Sequence, residues 1–167
     1  AVDAMGGDGS PAKVLNGIAH HNKKNKNIFY RIFGDKQEIL KCIPNDLSSK
    51  CFEINHTTEK VIGSDTPLGG AKRGKNTSMW LAIESVKNNH SDVVVSAGNT
   101  GALFVIAKLN LKMIENIDKP ALSGLWPNKI GMNIVLDLGA NIECNDKNLV
   151  DFSNMGAALH KSLFPKE

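Results

Sequence analysis

Val93-Val94-Val95-Ser96-Ala97-Gly98-Asn99-Thr100-Gly101-Ala102-Leu103-Phe104-Val105-Ile106-Ala107 changes character in its middle. The opening valines are apolar and β-branched, as in a strand buried on both faces. The polar, glycine-bearing Ser96–Gly101 then turns the chain, and the spacing predicts a helix over Thr100–Leu111. A buried strand running through a short turn into a helix is the repeating unit of parallel α/β sheets.

The same alternation extends in both directions. Upstream, Ala1–Ala4 reads as a strand that ends in Met5-Gly6-Gly7-Asp8. A helix follows with Ser10 as N-cap and Pro11 at its first position, and Val14, Leu15, Ile18 and Ala19 share one face. Asn27–Phe33 is a strand stopped by Gly34-Asp35, Lys36–Ile43 a short helix ended by Pro44, and Cys51–Asn55 a third strand. His56–Lys75 lacks periodicity and is expected to be a long loop, a length usually tied to function. Asn76, Thr77 or Ser78 caps the next helix, on which Met79, Ile83 and Val86 share a face. Downstream, Asn133–Leu138 reads as another buried strand and Lys147–Ser162 as a final helix. The expected fold is a three-layer α/β/α sandwich with a mainly parallel sheet, and no repeat or linker divides residues 1–167.

Composition narrows the function classes. The chain has 167 residues, 41% hydrophobic and 22% charged, which suits one globular domain. Its longest apolar run, Ala102–Ala107, stops at Lys108, well short of the roughly 20 residues needed to span a bilayer. No signal peptide is visible at Ala1-Val2-Asp3-Ala4. The net charge is +3 and the only arginines are Arg31 and Arg73, a poor complement for nucleic acid. Lys23-Lys24-Asn25-Lys26-Asn27 reads as a solvated loop. Cys42, Cys51 and Cys144 are too widely spaced for a disulfide framework or a zinc site, and His20, His21, His56, His90 and His160 lack metal-ligand spacing. A cytoplasmic protein without metal is expected.

In open parallel sheets, ligands bind beyond the carboxyl ends of the strands. Three turns expected there are polar and glycine-bearing: Met5–Asp8, Ser96–Gly101 and Asp137-Leu138-Gly139-Ala140-Asn141. Their plain alternative is that they are tight connections, with Asp8 and Asp137 as caps. Asp8, Asn99 and Asp137 are expected to line one cleft. The Gly98–Gly101 turn opens a helix, whose free amides and positive dipole end suit phosphate. Asn99→Ala is therefore expected to weaken phosphate use with little effect on folding.

Other motifs fail. No Gly-x-Gly-x-x-Gly and no Gly-x-Ser-x-Gly occurs. Gly69-Gly70-Ala71-Lys72-Arg73-Gly74-Lys75-Asn76 approaches a Walker A loop, but Asn76 stands where magnesium needs Ser or Thr, and no buried strand leads into it. Lys72, Arg73 and Lys75 remain an anion or acidic-partner patch, or else a solvated helix approach.

Several strings together resemble one family. They are Val2-Asp3-Ala4-Met5-Gly6-Gly7-Asp8 with Pro11, Ala71–Met79, Ser96–Ala102, Lys119-Pro120-Ala121-Leu122, Leu136–Asn141, and Phe152 with Met155-Gly156. In this order and spacing the chain resembles the N-terminal half of the bacterial phosphate acyltransferase (PlsX) family. Gly74 stands where that pattern has a basic residue, and Lys119 where it has arginine. Members continue well beyond the Met155-Gly156 helix, so the second half of the fold is expected to be missing.

The resemblance implies transfer of a fatty acyl group from acyl carrier protein to inorganic phosphate, forming acyl phosphate for phospholipid synthesis. It implies a sandwich related to isocitrate dehydrogenases and phosphotransacetylases, a homodimer, no required cofactor, and peripheral membrane association through the missing half or a membrane acyltransferase partner. Candidate phosphate- and substrate-binding residues are Gly6, Gly7, Gly98, Asn99, Thr100, Gly101, Gly139 and Asn141. Asn99, Asp8 and Asn141 are the catalytic candidates. Lys72, Arg73 and Lys75 would face the carrier protein. No enzyme nucleophile is visible, and none is needed if bound phosphate attacks the thioester. The competing readings are a phosphotransacetylase-like enzyme using a coenzyme A thioester and an inactive half-length remnant.

Overall fold

The fold is described from a computed structural model covering residues 1–165; Lys166 and Glu167, the end of the span read above as one domain, lie outside the described residues. The chain divides into two compact units, Ala1–Leu111 and Lys112–Glu167.

In the first unit, strands β1 (Val2–Asp3), β2 (Tyr30–Gly34), β3 (Phe52–His56) and β4 (Val95–Ser96) form one parallel sheet in the order β3-β2-β1-β4. Val2 pairs with Ile32, and Ile32 with Ile54. Because strand side chains alternate, Val2, Ala4, Tyr30, Ile32, Phe52 and Ile54 share one face. Helices α1 (Ala12–Lys24) and α2 (Lys36–Cys42) cover that face, with Leu15, Ile18, Ala19 and Ile39 in the same buried cluster. Over the opposite face lies α4 (Ser78–Lys87), with Ser78 bonded to Asp3 of β1 and Ser85 to Arg31 of β2. Flanked by α3 (Pro67–Lys72) and α5 (Thr100–Asn110), α4 encloses a second cluster that includes Val61, Met79, Ile83, Ala102 and Ile106. This is the expected α/β sandwich.

Local chemistry explains the helix starts and corrects several expectations. Asp35 caps α2 by accepting from the amides of Gln37 and Glu38, at 2.8 and 3.0 Å. Among the three proposed caps of α4, Thr77 is the one used, its Oγ1 accepting from the Trp80 amide. Ser10 does not cap α1: its hydroxyl donates to the Gly6 carbonyl, and the helix begins at Ala12. Lys23 and Lys24, expected in a loop, form the last turn of α1. The stretch 56–75 is not wholly loop, because Thr66 caps α3 and Pro67 starts it. Gly70 inside α3 is there for closeness. A Cβ on Gly70 would stand 2.7 Å from the Ala102 Cβ of α5. The valine run is not fully buried either: β4 is the last strand of this sheet, and Val93 and Val95 are 65% and 57% exposed.

The second unit holds β5 (Ser123–Pro127), β6 (Met132–Leu136) and α6 (Asp146–Leu163). The strands pair antiparallel, where β6 was expected to be a buried parallel strand. Asn128 closes the hairpin, its Oδ1 accepting from the amides of Ile130 and Gly131 at 2.8 and 2.9 Å. Asn145 and Asn148 cap α6 reciprocally, and Gly156 brings that helix against Leu136 of β6. No helix among the described residues is long and apolar enough to cross a membrane.

Candidate functional site

Parallel pairing places the carboxyl ends of β1 and β4 side by side, so the turns after them meet. They meet main chain to main chain. A Cβ on Gly6 would lie 2.7 Å from the Gly98 nitrogen, and one on Gly7 2.5 Å from the Ala97 carbonyl oxygen. Gly7 also has φ of +85°, where side chains are disfavoured.

Above this junction is a cleft of about 670 Å³. Met5, Gly7 and Asp8 form one wall, Ala97–Gly101 another, and Lys60–Gly63 a third. Among the lining residues Lys60 is the one cation and Asp8 the one carboxylate. Asp8 and Asn99 thus share a cleft, as the sequence suggested.

A buried carboxylate ties the junction together. Asp3 is 1% exposed and accepts from Ser78 Oγ at 2.6 Å, Ser96 Oγ at 2.7 Å and the Met5 amide at 3.2 Å. Ser96 Oγ in turn accepts from the Gly98 amide at 3.1 Å.

The Asn99 side chain is fully engaged. Its Oδ1 caps α5 by accepting from the Ala102 amide at 2.9 Å. Its Nδ2 donates to the carbonyls of Gly63 at 3.0 Å and Asp65 at 2.8 Å. This corrects the expectation that Asn99→Ala would leave folding nearly untouched, since the side chain fastens the third wall to the helix start. The Thr100 and Gly101 amides belong to the first turn of α5, where a helix offers them no carbonyl. Both residues line the cleft.

The basic trio divides. Arg73 makes a two-pronged contact with Asp65, including Nη2 to Oδ1 at 2.8 Å. Asp65 Oδ2 also accepts from the Ile62 amide at 2.8 Å. The Arg73 hydrogen bond, followed by that amide, holds the Asp65 carboxyl below the usual carboxylate range. Arg73 therefore braces the third wall. Lys72 and Lys75 are exposed and make no ion pair among the described residues.

The third turn lies in the second unit, where its polar side chains are engaged. Asp137 Oδ1 accepts from the Ala140 amide at 3.2 Å, and Oδ2 from the Asn141 amide at 3.0 Å. Asn141 Nδ2 donates to the Pro120 carbonyl at 2.8 Å, and Gly139 has φ of +81°. Asp137 is thus a cap of its own turn.

Sequence reasoning missed Asp3, Lys60 and Asp65, and took Ser96 only as the start of its turn. Asp3 carried a signal, a lone acid inside an apolar strand. For Lys60 and Asp65 the signal was only the length of the aperiodic stretch that holds them, which singles out neither residue.

Comparison with known proteins gives a consistent picture. Residues 1–166 match the family described as fatty acid synthesis protein. A relative named phosphate acyltransferase from Pelagibacter ubique is 68% identical over 167 residues, covering all of this chain and 50% of the relative. Relatives of the same name from Rhodospirillum rubrum and Maricaulis maris are 42% and 40% identical, with 47% and 48% of their lengths covered. The chain spans about half the length of these curated relatives. With its whole described fold inside the matched residues, the chain belongs to the fatty acid synthesis protein family, whose curated relatives here are named phosphate acyltransferase.

Proposed function

We propose that this chain carries the phosphate-binding part of an enzyme that transfers a fatty acyl group from acyl carrier protein to inorganic phosphate. The relatives' name supports the acceptor, and the family description supports the fatty acyl donor. The observation that carries the reading is the cleft whose wall is the start of α5, with Lys60 also among its lining residues. Amides of a first helical turn donate without themselves ionising, and a nearby ammonium adds charge attraction. Asn99 supports this wall through its cap and its two carbonyl contacts rather than by a free amide.

In the reaction, a phosphate oxygen attacks the thioester carbonyl carbon, the new C–O bond forms and the C–S bond breaks. The sulfur leaves as a thiol, taking the proton that hydrogen phosphate gives up. The chain's contribution is to hold phosphate at a fixed place and angle, a positioning effect. Lys72 and Lys75 offer an exposed basic approach to an acidic carrier protein, while Arg73 stays with Asp65.

Titrating inorganic phosphate into the isotope-labelled 167-residue chain should shift the Thr100 and Gly101 amide resonances, and Lys60→Ala should weaken binding. Unmoved resonances would refute the anion site. Acyl phosphate, trapped as the hydroxamate, is then assayed in the enzyme at its relatives' full length with both donors. Use of a coenzyme A thioester in place of the carrier thioester would favour the phosphotransacetylase-like reading. The 167-residue chain alone is expected to form little or no acyl phosphate.

A further inference from the structure

We infer that Asp3 is a positioning residue for the anion-binding turn: through Ser96 it fixes the Gly98 amide and with it the approach to α5. The inference rests on the phosphate-site reading above. Asp3 is buried beneath the junction of both strand-end turns, and no salt bridge among the described residues includes it. A buried acid held only by hydrogen bonds is costly for a fold to retain, and a hydrophobic residue would suit an inner strand better.

Its chemistry explains what it does there. A carboxylate only accepts, so the hydroxyls of Ser78 and Ser96 must both point their protons at it. With its proton so directed, Ser96 Oγ turns a lone pair toward the Gly98 amide. The hydrogen-bond direction therefore runs one way, from Gly98 to Ser96 to Asp3, and the turn has one preferred setting. A side-chain amide at position 3 could donate to Ser96 as well as accept, so the Ser96 proton would no longer be held toward residue 3 and could swing toward the Gly98 N–H, which only donates. Ser78 loads the same carboxylate from α4 but stands outside the branch that reaches Gly98.

The test compares Asp3→Asn, Ser96→Ala and Ser78→Ala in the labelled chain by amide resonances, hydrogen exchange and phosphate titration. The expected result is that Asp3→Asn and Ser96→Ala both shift and deprotect the Gly98 amide. Each should also weaken phosphate binding by roughly 3- to 10-fold, the scale of one lost hydrogen bond. Their combination should add little, because both break one chain of bonds. Ser78→Ala should stay within about twofold of the parent in phosphate affinity even if it melts earlier, which separates positioning from stability. An Asp3→Asn chain with an unmoved Gly98 amide, or a Ser78→Ala loss of affinity equal to that of Ser96→Ala, overturns the inference. If Asp3→Asn fails to fold, the contrast between Ser96→Ala and Ser78→Ala still decides it. If phosphate binds nowhere near Thr100 and Gly101 in the parent chain, the anion-site reading fails, and the positioning role fails with it even where the Gly98 amide responds.

Discussion

Replacing Asn99 by alanine removes three hydrogen bonds in one step, to the Ala102 amide and to the Gly63 and Asp65 carbonyls. Loss of an N-cap costs about 1 kcal/mol. The partly buried bond to Asp65 is worth about 1 kcal/mol and the more exposed one to Gly63 about half that. The total is about 2.5 kcal/mol, which in a chain of this size lowers Tm by roughly 5–10 °C. Asn99→Ser separates the two roles, since a serine still caps α5 but cannot reach both carbonyls; about 1.5 kcal/mol should be lost. Asn99→Asp keeps the cap and turns an acceptor toward two acceptors, so it should fall at least as far as alanine. Thermal melts followed by circular dichroism give the ranking, and hydrogen exchange at residues 62–65 shows whether the third wall loosens. An alanine variant melting within about 2 °C of the parent would refute the fastening role, as would a serine variant no better than alanine.

Acid should loosen the same wall. Arg73 and the Ile62 amide favour ionised Asp65 in the fold, so its contribution is complete above the ordinary carboxylate range and is lost as pH falls through the lower folded value. Protection of the Ile62 amide, relative to its intrinsic exchange rate, should then be unchanged by this group from pH 7 to about 5 and fall below about 4, with that fall missing in Asp65→Asn. Gly6→Ala would press a methyl 2.7 Å from both the Gly98 nitrogen and Asp3 Oδ2, and denaturant unfolding should show a loss of about 1–3 kcal/mol. Ile32 is fully buried at the centre of the first cluster, so Ile32→Ala should lose about 2–5 kcal/mol in the same measurement while the amide shifts of Thr100 and Gly101 stay in place.

Much of the first unit was legible because its elements announce themselves locally. The alternation of Tyr30, Ile32 and Phe52, Ile54 matches the face that α1 and α2 cover, and Asp35 and Thr77 cap helices from within their own turns. The failures came where a local rule was overridden at a distance. Gly69-Gly70 reads as a break, yet α3, started by Thr66 and Pro67, passes through it, and α5 leaves no room for a side chain at Gly70. Gly124 and Pro127 likewise hid β5, whose pairing with β6 is settled by the Asn128 turn. Two glycine-rich turns of the candidate site were visible as patterns, and parallel pairing of β1 with β4 brought them together. Lys60 and the Asp65–Arg73 brace were not, since nothing local marks which loop residues line a cleft or brace its wall. The full engagement of the Asn99 amide was equally hidden, because its partners lie more than thirty residues away.

The junction of Gly6 and Gly7 with Ala97 and Gly98 has a consequence for the entropy of binding. Holding a rotamer-rich side chain still on association costs about 0.5–1.5 kcal/mol, and a surface of glycine and alanine main chain has no such rotamers to freeze. Nor can these turns settle closer around a guest, for their backbones already touch. Where Gly7, Ala97 and Gly98 line the cleft, a ligand in the proposed site would therefore meet a surface with no rotamers to order. In that reading the ordering cost falls on the side chains around this surface, the long Lys60 side chain among them.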